Sequence, residues 1–152
     1  MADELLDVVV VGGGAAGLSA GLMLARARRS VVVVDAGSPR NAPAHGVHGL
    51  LGHDGVPPAE LLARGRDEVR QYGGRLLQGE VATVSRCPGR FSVELTDGGV
   101  LTARRLLVTT GLVDQLPEVP GVRERWGRDV LHCPYCHGWE VGGRSIGVLA
   151  GG

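Results

Sequence analysis

The run Leu6 to Val11 is apolar on both faces and leads directly into Gly12-Gly13-Gly14-Ala15-Ala16-Gly17. β-branched residues of this kind favour a strand, and a strand without alternation suits a central position in a parallel sheet. Gly12, Gly14 and Gly17 form G-x-G-x-x-G: a tight turn, a close approach of backbone to a pyrophosphate, and a close helix–strand contact. A helix is expected from about Ala15 to Ala27, with its first N–H groups turned toward phosphate. A second strand, Val31 to Val34, ends on Asp35, roughly 20 residues beyond the turn, where a carboxylate can bind a ribose hydroxyl. This order predicts an α/β, Rossmann-like fold with a central parallel sheet. Gly12, Gly14, Ala15, Ala16, Gly17 and Asp35 are its candidate dinucleotide-binding residues.

The chain has 152 residues, enough to bury a real core, and 26 of them are glycine, as tight turns and close ligand approach require. Basic and acidic residues balance at 16 each, which argues against nucleic acid or an anionic membrane as partner. The chain opens on acidic residues (Asp3, Glu4, Asp7), lacks a secretory pattern and has no apolar run of membrane length, so a cytoplasmic location is expected. In a reducing compartment, a close cysteine pair is catalytic or metal-binding before it is a structural staple.

Residues 36–58 lack periodicity and read as a functional loop. Arg40 and Asn41 follow Asp35 closely enough to reach cofactor phosphate or ribose, and are equally well read as turn residues. His45, His48 and His53 have no partner at ligand spacing, and no metal is expected. A helix is expected from Pro58 to Tyr72, a strand from Leu76 to Val84, and a small antiparallel hairpin from Phe91 to Thr96 and Val100 to Ala103. Cys87 falls in the expected turn before that hairpin. A further parallel strand, from Leu106, ends on Gly111 beside the cofactor, and Val81 is a further cofactor-binding candidate. The prolines Pro117 and Pro120 mark a linker. The expected division is residues 1–115, a linker at 116–126, and a second unit at 127–152.

The second unit contains His132-Cys133-Pro134-Tyr135-Cys136-His137. C-x-x-C can close a disulfide within one turn, and a lowered thiol pKa makes one cysteine nucleophilic near neutrality. The same letters match c-type haem attachment, which requires export. A zinc site would need a second ligand pair, and a glutaredoxin-like site would need to follow the first strand of another fold. A redox pair is the preferred reading, with Cys133 and Cys136 catalytic. His137 is a candidate for proton transfer, because an unperturbed imidazole titrates near neutrality.

In their order along the chain, these motifs resemble the thioredoxin reductase family of FAD-dependent disulfide oxidoreductases. The resemblance implies that the first nucleotide site holds FAD. It implies that Cys136 faces the flavin, that Cys133 exchanges with substrate, and that residues 127–152 begin a domain for NADP or NAD. The implied substrate is a small-molecule or protein disulfide or dithiol, and a homodimer is left open. Where the family usually has aspartate, His137 follows the second cysteine, closer to a subgroup of dithiol oxidases that pass electrons to oxygen. Ser145 to Gly152 reads as the strand and first glycines of a second dinucleotide motif, so a truncated chain is expected. The remaining alternatives are a non-catalytic nucleotide-binding fragment and an NAD-dependent dehydrogenase. The chain has no lysine, and therefore no Tyr-x-x-x-Lys pair, to support the last.

Overall fold

The computed structural model describes residues 4–149. β1 (Leu5–Val11) leads into α1 (Ala15–Arg26) and β2 (Val31–Asp35); α2 (Pro58–Gln71) then leads into β3 (Arg75–Gln78). These are two parallel strand–helix–strand units sharing β2. β4 (Val81–Cys87), β5 (Arg90–Leu95) and β6 (Val100–Val108) follow as an antiparallel meander. All six strands join one sheet in the order β3-β2-β1-β6-β5-β4. The parallel half is the Rossmann-like arrangement expected from the glycine turn.

Packing explains the layers. Val8, Val10, Val31 and Val33 face one side of the sheet and meet Leu24 and Ala25 of α1. Leu18 of α1 packs against Leu62 and Val69 of α2, joining the two helices. On the other face Val9, Val32 and Val34 cluster with Val93, Leu95 and Ala103, so the antiparallel strands cover what the helices leave open. Burial of these side chains is the main stabilising term, each aliphatic side chain contributing about 1.5–3 kcal/mol.

Four local expectations change. The strand expected from Leu76 to Val84 is two strands, broken at Gly79-Glu80, because β3 pairs parallel to β2 whereas β4 pairs antiparallel to β5. Cys87 lies at the end of β4, paired with Arg90, and not in a turn. The hairpin return and the strand from Leu106 are one nine-residue strand, β6, which pairs with β5 along one edge and β1 along the other. Residues 145–149 form no strand, and the last glycines of that expected motif, Gly151-Gly152, lie outside the described residues.

Two short helices follow the sheet, α3 (Val122–Arg125) and α4 (Pro134–His137). Among the described residues, no helix is long and apolar enough to cross a membrane.

Candidate functional site

β1 crosses over to β2 on one side, while its neighbour on the other side, β6, comes from a distant part of the chain, and a cleft opens at the carboxyl ends of β1, β2 and β6. Open α/β sheets bind ligands at such a switch point. The cleft has a volume of about 630 Å³, within the usual range for a small-molecule or cofactor site. Its floor is the turn from Gly12 to Ala16, and Asp35, Arg40, Asn41, Val81 and Gly111 line its walls.

The glycines serve different ends. Gly12 has φ +105°, and a Cβ there would lie 2.4 Å from the Thr109 carbonyl oxygen. At Gly17 a Cβ would lie 1.8 Å from the Gly12 carbonyl oxygen, so this residue does not line the cleft; it permits the helix–strand contact beneath it. Gly14 faces open space, with nothing within 4 Å of the missing Cβ. No side chain caps the N-terminus of α1, which leaves its first N–H groups available to an anion. Thr109 secures the turn from beneath: its single hydroxyl proton is shared between the carbonyl oxygens of Gly12, 2.8 Å from Oγ1, and Val11, 3.0 Å away. Asp35 accepts a hydrogen bond from the Gly13 N–H at 3.2 Å. Open backbone at Gly14, an uncapped twelve-residue helix and a carboxylate at the next strand end together fit the phosphates and ribose of a dinucleotide.

Cys133 is the N-cap of the single-turn helix α4 and Cys136 lies within it, with Sγ atoms 2.6 Å apart. Both are free thiols, Cys133 half-buried and Cys136 exposed. The Cys136 sulfhydryl donates to Cys133 and holds the Cys133 thiol below its ordinary pKa, assisted by the N–H groups of Cys136 and Tyr135 and by the charge of Arg40. The same bond pushes the Cys136 thiol up. His137, at the end of α4, has a buried Nε2 without a hydrogen-bond partner among the described residues. Its ring meets His48 edge-on, with centroids 6.4 Å apart. His48 in turn lies 3.4 Å from carboxylate oxygens of both Asp54 and Glu140. Among the described residues, no group of three or more His, Cys, Asp or Glu side chains is arranged to hold a metal ion.

Arg40 stands between the cleft and the cysteines. Its Nε and Nη2 each donate to the Asp114 carboxylate at 2.7 Å, and Nη2 lies 2.9 Å from Nε2 of His132. Asp114 also accepts from the Trp126 indole at 3.2 Å. Arg40, followed by Trp126, holds the Asp114 carboxyl below the usual carboxylate range. The Trp126 and His132 rings stack at 5.6 Å. Sequence reasoning missed Asp114, Trp126, Thr109 and the His48–Glu140 contact. None belongs to a local motif, and only the folded chain brings them together.

The model for the pyridine nucleotide-disulphide oxidoreductase family matches residues 6–152. The thioredoxin reductase tcpT of Claviceps purpurea (strain 20.1) is 39% identical over 153 residues, covering 98% of this chain and 48% of that protein. The crystal structure of HlmI superposes with a TM-score of 0.88 at 56% identity, covering 90% of this chain and 44% of that one. A putative thioredoxin reductase TrxB from Bacillus anthracis gives a TM-score of 0.86 at 35% identity, covering 90% of this chain and 46% of that one. The chain spans about half the length of the curated relatives it matches.

Proposed function

Because this chain belongs to the pyridine nucleotide-disulphide oxidoreductase family and is of the thioredoxin reductase type, we propose that its cleft holds FAD and that Cys133 and Cys136 are its redox pair. The observation that carries this reading is the contact between two free sulfurs in a single turn, bordered by a residue that also lines the dinucleotide cleft. A bound flavin supplies two-electron exchange between a nicotinamide and a dithiol. Residues 127–152 begin the unit that receives the nicotinamide, beyond the linker at 116–126.

The chain's own residues have distinct tasks. The α1 N-terminus and the Gly14 backbone bind phosphate, and Asp35 orients the turn and accepts from ribose. Arg40 and Asn41 form the loop wall. Cys133, the thiol with lowered pKa, attacks a substrate disulfide. The substrate S–S bond breaks, a mixed disulfide forms and the first leaving thiolate takes a proton. Cys136 then attacks the Cys133 sulfur and releases the second thiol. Two electrons have passed to the substrate, and the pair is left as a disulfide to be reduced again through the cofactor. His137 holds or delivers a proton through Nε2, which has no partner among the described residues.

A second reading runs the exchange in reverse, with a small-molecule dithiol as donor and oxygen as final acceptor. His137, standing where aspartate is usual, favours it. Both readings are tested on the purified whole protein with its flavin spectrum recorded. A chromogenic aromatic disulfide probes reduction with NADPH, and dithiothreitol in air probes oxidation. Cys136→Ser is expected to abolish whichever turnover the protein shows. Full turnover in that variant, or protein that binds no flavin, overturns the assignment.

A further inference from the structure

Arg40 follows β2 closely in sequence and lines the cleft, yet its guanidinium is committed elsewhere. It is shared between Asp114, beyond the end of β6, and His132, the residue before Cys133. Three chain segments far apart in sequence therefore meet at one side chain. The junction is tight: the Arg40–Asp114 pair is bidentate, with side chains 35% and 19% exposed. Bidentate guanidinium–carboxylate pairs fix orientation as well as distance, which a lysine cannot reproduce. Trp126 completes the junction by donating to Asp114 and stacking on His132. A second contact lies alongside, where a Cβ at Gly127 would come within 3.1 Å of Pro43 of the same loop.

The geometry points to Arg40 as a positioning residue for the Cys133–Cys136 pair. Through Asp114 and His132 it ties the redox turn to the rim of the dinucleotide cleft and places a fixed positive charge beside the two sulfurs. This rests on the reading of Cys133 and Cys136 as the redox pair. It separates Arg40 from the phosphate- or ribose-binding part that its position after Asp35 suggests. The charged and titratable groups about the pair are Arg40, Asp114, His132, Tyr135 and His137, with His48 and Glu140 behind His137. The Arg40 guanidinium keeps its charge across the accessible pH range, so its field acts on the thiolate at every pH.

The test is the pH profile of iodoacetamide alkylation of Cys133 in the reduced, flavin-bound protein, read by peptide mass spectrometry. Bound flavin is quantified in the same samples. Arg40→Met is expected to move the profile to higher pH, so that alkylation at pH 7 slows by about threefold or more, while flavin content is retained. Arg40→Lys restores part of the shift, since it returns the charge without the fork. Arg40→Gln, which removes the charge but keeps a hydrogen-bond donor for Asp114, moves the profile in the same direction, and it serves as the second variant should Arg40→Met fold poorly. An unchanged alkylation profile in Arg40→Met and Arg40→Gln overturns the proposal. So does loss of flavin from Arg40→Met with the profile intact, which would make Arg40 a cofactor ligand. Failure of the redox reading shows separately, as full turnover in Cys136→Ser, because alkylation reports on the thiol and not on turnover.

Discussion

Asp35 accepts a hydrogen bond from the Gly13 N–H, joining the end of β2 to the middle of the glycine turn. The carboxylate therefore both shapes the turn and remains at the cleft wall, where ribose hydroxyls would be met. Asp35→Ala removes both functions. Hydrogen bonds to charged groups contribute about 1.5–3 kcal/mol, so FAD affinity should fall by about tenfold or more. Fluorescence titration of apoprotein with FAD measures this, and affinity equal to the parent protein's would refute the role. Asp35→Asn keeps an acceptor for Gly13 and should lose less.

Gly14 and Gly17 differ in what an added methyl group would meet. At Gly17 the methyl collides with the Gly12 carbonyl oxygen, and only backbone movement relieves it. Gly17→Ala should destabilise by at least about 3 kcal/mol, seen as a large drop in the urea midpoint. Gly14→Ala meets nothing, so the chain should fold with near-parental stability while FAD binding weakens sharply. A Gly14→Ala protein that binds FAD normally would mean that no ligand approaches the backbone there.

Cys133 and Cys136 should differ in reactivity despite their similar surroundings. The Cys136 sulfhydryl and nearby N–H groups lower the Cys133 thiol, whereas the same bond raises Cys136. As pH rises from acid, Cys133 deprotonates first. Peptide mapping after brief iodoacetamide treatment at pH 7 should find label mainly on Cys133, with Cys136 overtaking only in strong base. Equal labelling at neutral pH would contradict this ordering.

Asp7, in the first half of β1, gives the fold a pH dependence. Its carboxylate accepts from the Ser30 N–H at 3.0 Å and the Ser30 hydroxyl at 3.1 Å, and the backbone bond is the main reason its pKa lies below the usual value. A depressed carboxyl pKa adds stability above the unfolded-state value, and that stability is lost as pH falls through the folded value. Asp7→Asn should therefore lower the denaturation midpoint at pH 7, and the deficit should shrink as pH falls below the usual carboxylate range. A deficit that stays the same size across that acid range would show that the ionised form contributes nothing.

Much of this architecture is legible in the chain because its signals are local. Val8 to Gly17 carries the strand, the turn and the helix start within a few residues, and the structure sets β1 and α1 within one or two residues of those positions. What is not legible is decided by distant partners. Leu76 to Val84 reads as one strand interrupted only by Gly79-Glu80, and the change of neighbour from β2 to β5 is what divides it there. The Arg40–Asp114 and Arg40–His132 contacts span 74 and 92 residues, and nothing near Arg40 in sequence announces either. A loop arginine is equally suited to phosphate, solvent or a carboxylate until the fold supplies one of them.

The nine residues of β6 have a mechanical consequence. One strand carries the meander on one edge and the nucleotide half of the sheet on the other. The antiparallel strands cannot swing as a flap, because the hinge would fall inside a hydrogen-bonded strand. That wall of the cleft and its floor travel as one plate. Whatever yields to admit a long ligand does so at the opposite rim, along the irregular stretch from Ala36 to Pro57, and Arg40, on that same stretch, carries any such movement to the cysteines.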